Sequence, residues 1–152
     1  MKELINAART GNCELITKLI QQGADVNATD EKGFTPLIIA TYSNQLDAAK
    51  LLLDQGANVN HQDNGGNTAL MGVAFKGYPE LAKLLIKHGA KLDLTHGNGG
   101  TALMFASMFG QKEIVKLLLS EGADKMITDA NGMMAVDHAG MQRNQEIIEL
   151  LA

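Results

Sequence analysis

The chain has 152 residues, 45% of them hydrophobic and 20% charged, with 13 basic against 17 acidic side chains for a net charge of −4. That is enough apolar material for one continuous core; the slight acidic excess gives no general attraction for nucleic acid or an anionic membrane, and no apolar run approaches the roughly 20 residues of a bilayer span. Cys13 is the only cysteine, which excludes an internal disulfide and points to a reducing, cytoplasmic home; the start Met1-Lys2-Glu3-Leu4 shows no secretory signal, and a mature exported form stays open.

Gly23, Gly56, Gly89 and Gly122 follow one another at intervals of 33 residues, and the same period carries Thr35 onto Thr68 and Thr101, Leu37 onto Leu70 and Leu103, and Leu52 onto Leu85 and Leu118. A fixed period of this length sets the architecture before any local reading does. It divides the chain into five units, approximately 1–28, 29–61, 62–94, 95–127 and 128–152.

The first unit shows Lys2, Glu3, Asn6 and Arg9 and reads as an N-terminal cap with a polar outer face. In the second, Thr35 is placed to N-cap a helix with Pro36 at its first position, where the missing N–H costs nothing. That helix should run to about Ser43, and its partner from Leu46 to Gln55, where Gly56 can take the left-handed conformation that ends a helix. In the third unit Ala69 replaces the proline, and Pro79 falls where the second helix should start. In the fourth, Ala102 again replaces the proline and His96 stands where the earlier turns have Asp30 and Asp63. The last unit reads Met134-Ala135-Val136 at the helix start, but Gly132, Ala139, Ile147 and Leu150 keep register; with Arg143, Asn144, Gln145 and Glu149 it reads as a C-terminal cap. Each helix is shorter than the ~12–15 residues at which isolated helices become even marginal in water, so the helices must stack on their neighbours to exist.

Thr35-Pro36-Leu37 resembles the T-P-L start of an ankyrin repeat, and Gly23-Ala24-Asp25-Val26-Asn27-Ala28 and Gly56-Ala57-Asn58-Val59-Asn60 resemble its end. The resemblance covers essentially the whole chain. It implies an all-α fold, an ankyrin-repeat solenoid of five helix pairs joined by β-hairpin-like turns, acting as a monomeric, non-catalytic scaffold or adaptor that binds a protein partner on its concave face. A stabilising or inhibitory accessory subunit of one enzyme would use the same groove. From another class, the alternative is a small enzyme with an unrecognised site.

Catalytic and cofactor chemistry finds little support. His61 and His96 read as exposed loop residues near hairpin tips, too far apart for a shared ion, while His88 suits a helix C-terminus and His138 a cap or partly buried position. The glycine clusters Asn64-Gly65-Gly66-Asn67 and Gly97-Asn98-Gly99-Gly100 lack the Lys-Ser or Lys-Thr of a phosphate loop and fall on the repeat's turns. Cys13 has no histidine near it in sequence. No cofactor and no metal are expected.

The resemblance assigns Arg9, Tyr42, Phe75, Met108 and Met141 to one column of the concave face, Ser43, Lys76, Phe109 and Gln142 to the next, and Phe34 and Asn67 to the hairpins. Four consecutive units place a large apolar side chain in the first column, and contiguous exposed apolar surface marks a contact site. We take Phe34, Tyr42, Asn67, Phe75, Lys76, Met108, Phe109 and Met141 as the protein-binding surface. The alternative is that the column tucks against the adjacent unit.

Overall fold

A computed structural model describes all 152 residues. Ten helices form five antiparallel pairs: α1 (Lys2–Thr10) with α2 (Cys13–Gln21), α3 (Pro36–Tyr42) with α4 (Leu46–Asp54), α5 (Ala69–Lys76) with α6 (Pro79–Lys87), α7 (Ala102–Met108) with α8 (Lys112–Ser120), and α9 (Ala135–Met141) with α10 (Gln145–Leu151). The odd-numbered helices pack in one row and the even-numbered helices in a second.

Local chemistry sets the boundaries. The Thr35, Thr68 and Thr101 hydroxyls accept from the backbone N–H of Ile38, Met71 and Met104, three N-caps in one register. Pro79 begins α6, as its spacing predicts. In the last unit Met134 has no such oxygen, and the Asp137 carboxylate caps from the other side by accepting the Met134 N–H at 2.8 Å. Gly23, Gly56, Gly89 and Gly122 hold φ between 91° and 96° after the even helices.

Periodic side chains then build a single core. Leu4, Leu37, Leu70 and Leu103 are buried on the odd helices and Leu52, Leu85 and Leu118 on the even ones. The odd row packs more closely because it meets through small residues, Ala7, Ala40, Val73, Ala106 and Ala139 in one column and Ala8, Thr41, Ala74 and Ser107 in the next. The two buried hydroxyls there are satisfied within their own helices, Thr41 by the Leu37 carbonyl and Ser107 by that of Leu103.

Between helix pairs the chain makes narrow hairpins. Asp30, Asp63 and Asp129 each accept two backbone N–H groups through Oδ1 and so close their turns. Successive hairpins are joined by backbone bonds, Asn64 to Lys32, Gly97 to Gly65 and Ala130 to Asn98. Away from the tips, Asn27 and Asn60 each bridge to the following unit, donating to the Gly56 and Gly89 carbonyls and accepting from Asn58 and Lys91.

One glycine pair separates backbone strain from packing. Gly56 and Gly66 both have positive φ, but a Cβ on Gly56 meets nothing within 4 Å, whereas one on Gly66 would lie 2.9 Å from His96 Cα in the next hairpin. Gly66→Ala is expected to cost about 1–3 kcal/mol more than Gly56→Ala, the range of overpacking. Denaturant unfolding of the two variants side by side checks it, and equal losses would mean that the hairpins do not press on one another.

Candidate functional site

The chain has four phenylalanines, two tyrosines and no tryptophan. Aromatic rings carry the largest apolar area of any side chain and ordinarily supply a core, yet no aromatic residue belongs to the buried core of this protein. Instead Phe34, Phe75, Phe105 and Phe109, together with Tyr42, line one groove of about 590 Å³ between the hairpins and the odd-numbered helices. Ile38, Met71, Asp63, Asn67, Gly72 and Arg9 are among the other residues of its walls.

The rings form a ladder across three units. Tyr42 stacks on Phe75 with centroids 6.3 Å apart, and Phe75 meets Phe109 edge to face at 4.6 Å. Tyr42, Phe75 and Phe109 remain 44%, 36% and 46% exposed. The column therefore both touches the adjacent unit and faces solvent. Lys76 places its ammonium 5.1 Å from the Tyr42 ring centroid, a cation–π contact on the groove's edge.

Two of the expected residues lie elsewhere. Met108 is half-buried and lines a neighbouring cavity of about 340 Å³ with His96, Met104, Asp129 and His138. Met141 is 69% exposed and borders neither cavity. The ladder thus passes from Phe75 to Phe109, one position beyond the residue that strict periodicity selects. Phe34 and Asn67 line the groove, as do Phe105, Ile38 and Met71, which were not among the residues that the sequence singled out. The signal that could have found Phe105 is composition: all the phenylalanines share one wall.

The histidines hold turns. His61 is half-buried rather than exposed, with Nε2 3.0 Å from the Gly33 carbonyl of the preceding hairpin. His96, also half-buried, takes the place of the turn aspartates, its Nδ1 accepting the Gly100 N–H at 2.9 Å. That role requires an unprotonated Nδ1, so the ring stands in this turn as the Nε2–H tautomer. His88 Nδ1 lies 3.0 Å from the Leu84 carbonyl at the end of α6. His138 Nε2 pairs with Asp129 Oδ2 at 2.7 Å, a well-covered contact.

Asp129 is held below the ordinary carboxylate range, first by the Met133 N–H and then by hydrogen bonds from His138 and the Asn131 N–H, against an opposing effect of burial. A carboxylate with a lowered folded value contributes stability above its unfolded value, and that contribution is lost as pH falls through the folded value. Below about pH 4 the wild type should therefore lose stability that Asp129→Asn, which keeps a turn acceptor, does not. Urea unfolding of both proteins at pH 6 and pH 3 measures the difference, and parallel losses would remove Asp129 from the acid response.

No three His, Cys, Asp or Glu side chains converge on one point, and Cys13 sits half-buried on α2. Excess chelator, added zinc and added ATP are each expected to leave the melting temperature in place, since a ligand specific for the folded state must raise it. A shift of many degrees with any of them would contradict this. No helix is long and apolar enough to cross a membrane.

A family model described as ankyrin repeats, three copies, matches residues 4–96 and again 70–152. Among curated proteins, the chain is 42% identical over 40 residues to an ankyrin repeat protein of Acanthamoeba polyphaga mimivirus, covering 26% of this chain and 31% of that protein. It is 41% identical over 46 residues to two ankyrin repeat proteins of Rickettsia felis, covering 30% of this chain and 73% and 70% of theirs. The chain spans about a third of the viral relative's length. With stacked helix pairs, threonine caps, joined hairpins and a family match reaching from residue 4 to residue 152, this chain belongs to the ankyrin-repeat family.

Proposed function

We propose that the aromatic groove recognises a segment of another protein, and that the chain works as a non-catalytic adaptor in a reducing, cytoplasmic compartment. The observation that carries this reading is the displacement of every phenylalanine from the core to one wall. A ring left half in water costs hydrophobic stabilisation that it would give in the core, and a partner that covers it recovers that free energy. Exposed aromatic anchors in a concave, water-excluding site are also the residues that dominate interface energetics. Lys76, Asn67 and Arg9 at the margins supply polar contacts that fix orientation.

The test is capture from a native lysate with the wild type and, in parallel, with Phe75→Ser/Phe109→Ser. The expected result is a protein retained saturably by the first and lost by the second. Retention of the same proteins by both would place recognition outside the groove.

A further inference from the structure

In the last two units, the residue that closes the hairpin turn touches the side chain nine positions further on. Asp129 Oδ2 is bonded to Nε2 of His138, and the His96 ring stands edge-on to Phe105 with centroids 5.2 Å apart. In the third unit the corresponding pair is Asp63 and Gly72. Glycine has no side chain to offer, and Asp63 and Gly72 both line the groove, with the Tyr42 ring standing over Gly72.

Asp63 uses only one oxygen in its turn: Oδ1 accepts from the Gly65 and Asn67 N–H groups at 2.8 and 2.9 Å. Oδ2 accepts no hydrogen bond, and Asp63 takes part in no ion pair. Because no fully covered side-chain oxygen in the protein lacks a partner, Oδ2 keeps some contact with solvent, and Asp63 forms part of the groove wall. Gly72 lies inside α5 without a positive φ, so its backbone does not demand glycine, and glycine weakens a helix interior. What the residue contributes is absence: an added Cβ would lie 3.2 Å from the Tyr42 ring.

The slot thus presents an unpaired carboxylate oxygen beside aromatic rings. An occupant must donate N–H groups to the carboxylate and present a flat or cationic face to the rings. The guanidinium of arginine does both, since it forks onto carboxylates and stacks on aromatic faces. Within the chain, His138 shows that a hairpin aspartate takes a nitrogen donor from this side, and Lys76 shows that the ladder accepts a cation. We infer that the Asp63–Gly72 slot is a binding site for one arginine side chain of the partner segment, an inference that rests on the reading of the groove as a protein-recognition site. Lys76 ends α5 beside the Tyr42 ring, while Asp63 lies in the hairpin that precedes this helix. Arg9 ends α1 at the corresponding edge. With both cations there, the groove favours a single basic residue with neutral or acidic neighbours over a polybasic run.

Panning a random twelve-residue peptide library against the intact protein tests the inference. The selected peptides are then measured on the wild type, Asp63→Asn, Gly72→His and Phe75→Ser, with melting curves confirming that each variant is folded. Asp63→Asn keeps the turn acceptor and removes the charge, while Gly72→His sets an imidazole beside Asp63 and pushes the Tyr42 ring aside. The expected result is enrichment of one arginine, at least tenfold weaker binding to Asp63→Asn and to Gly72→His, and a similar loss when the peptide's arginine becomes glutamine. Peptides that need Phe75 but bind Asp63→Asn unchanged, or that carry lysine as effectively as arginine, overturn the arginine slot and leave the groove reading standing. Peptides that need neither residue, or a library that yields none, overturn both.

Discussion

Leu85→Ala is expected to cost about 2–5 kcal/mol, the range for truncating a fully buried leucine. Leu85 is 0% exposed, in register with Leu52 and Leu118, which are equally covered. Lys83 lies two residues away on the same helix with only an exposed bridge to Glu80 at 3.3 Å, so Lys83→Ala should stay within about 0.5 kcal/mol of the wild type. The contrast reflects how a solenoid is held together. No helix here exceeds nine residues, so none is stable alone, and each even-numbered helix exists because its leucine face lies between two others. A cavity at Leu85 weakens the interfaces of α6 with both α4 and α8. Since a domain of this kind has about 5–15 kcal/mol in total, the variant should lose a large share of it. Denaturant unfolding of the two variants is the measurement, and equal, negligible losses would show that the helix faces are wrongly assigned.

The features legible in the sequence are those whose chemistry is local. Thr35, Thr68 and Thr101 cap because a hydroxyl at that point of any helix does so, Pro79 sits where its missing N–H is harmless, and Gly23, Gly56, Gly89 and Gly122 mark left-handed backbone. The groove was legible only in part, because its membership depends on how units turn relative to one another. Strict periodicity equates Tyr42, Phe75, Met108 and Met141, but that column is aromatic only at Tyr42 and Phe75. The ring beside Phe75 in the next unit belongs to Phe109, in the adjacent column. Phe105 escaped because its column holds Asn6, Ile39, Gly72 and His138, with no shared chemistry to notice. That variability, in a framework otherwise so regular, fits the proposed use of the groove for recognition.

Phe75→Ser/Phe109→Ser should weaken binding of the partner by at least ~2 kcal/mol, about thirtyfold, if either ring is an interface anchor. The same substitutions carry a stability cost that the geometry limits. Removing both rings abolishes their edge-to-face contact and the stack of Phe75 on Tyr42, aromatic pairs worth about 0.5–1.5 kcal/mol each beyond area burial. It also forfeits part of the roughly 1.5–3 kcal/mol that a wholly buried ring would give, since 36% of Phe75 and 46% of Phe109 are still in water. The variant should therefore remain folded at room temperature, with a lowered melting temperature. Affinity has to be measured well below that melting temperature, so that lost binding is not lost folding. Met108→Ser is the informative companion, because Met108 lines the neighbouring cavity. Its affinity for a segment held by the ladder should stay close to that of the wild type. If Met108→Ser weakens binding as much as the double variant does, the partner follows the strict 33-residue column. If both leave affinity unchanged while stability falls, the rings serve only to pack one unit on the next, and the groove is a seam of the scaffold.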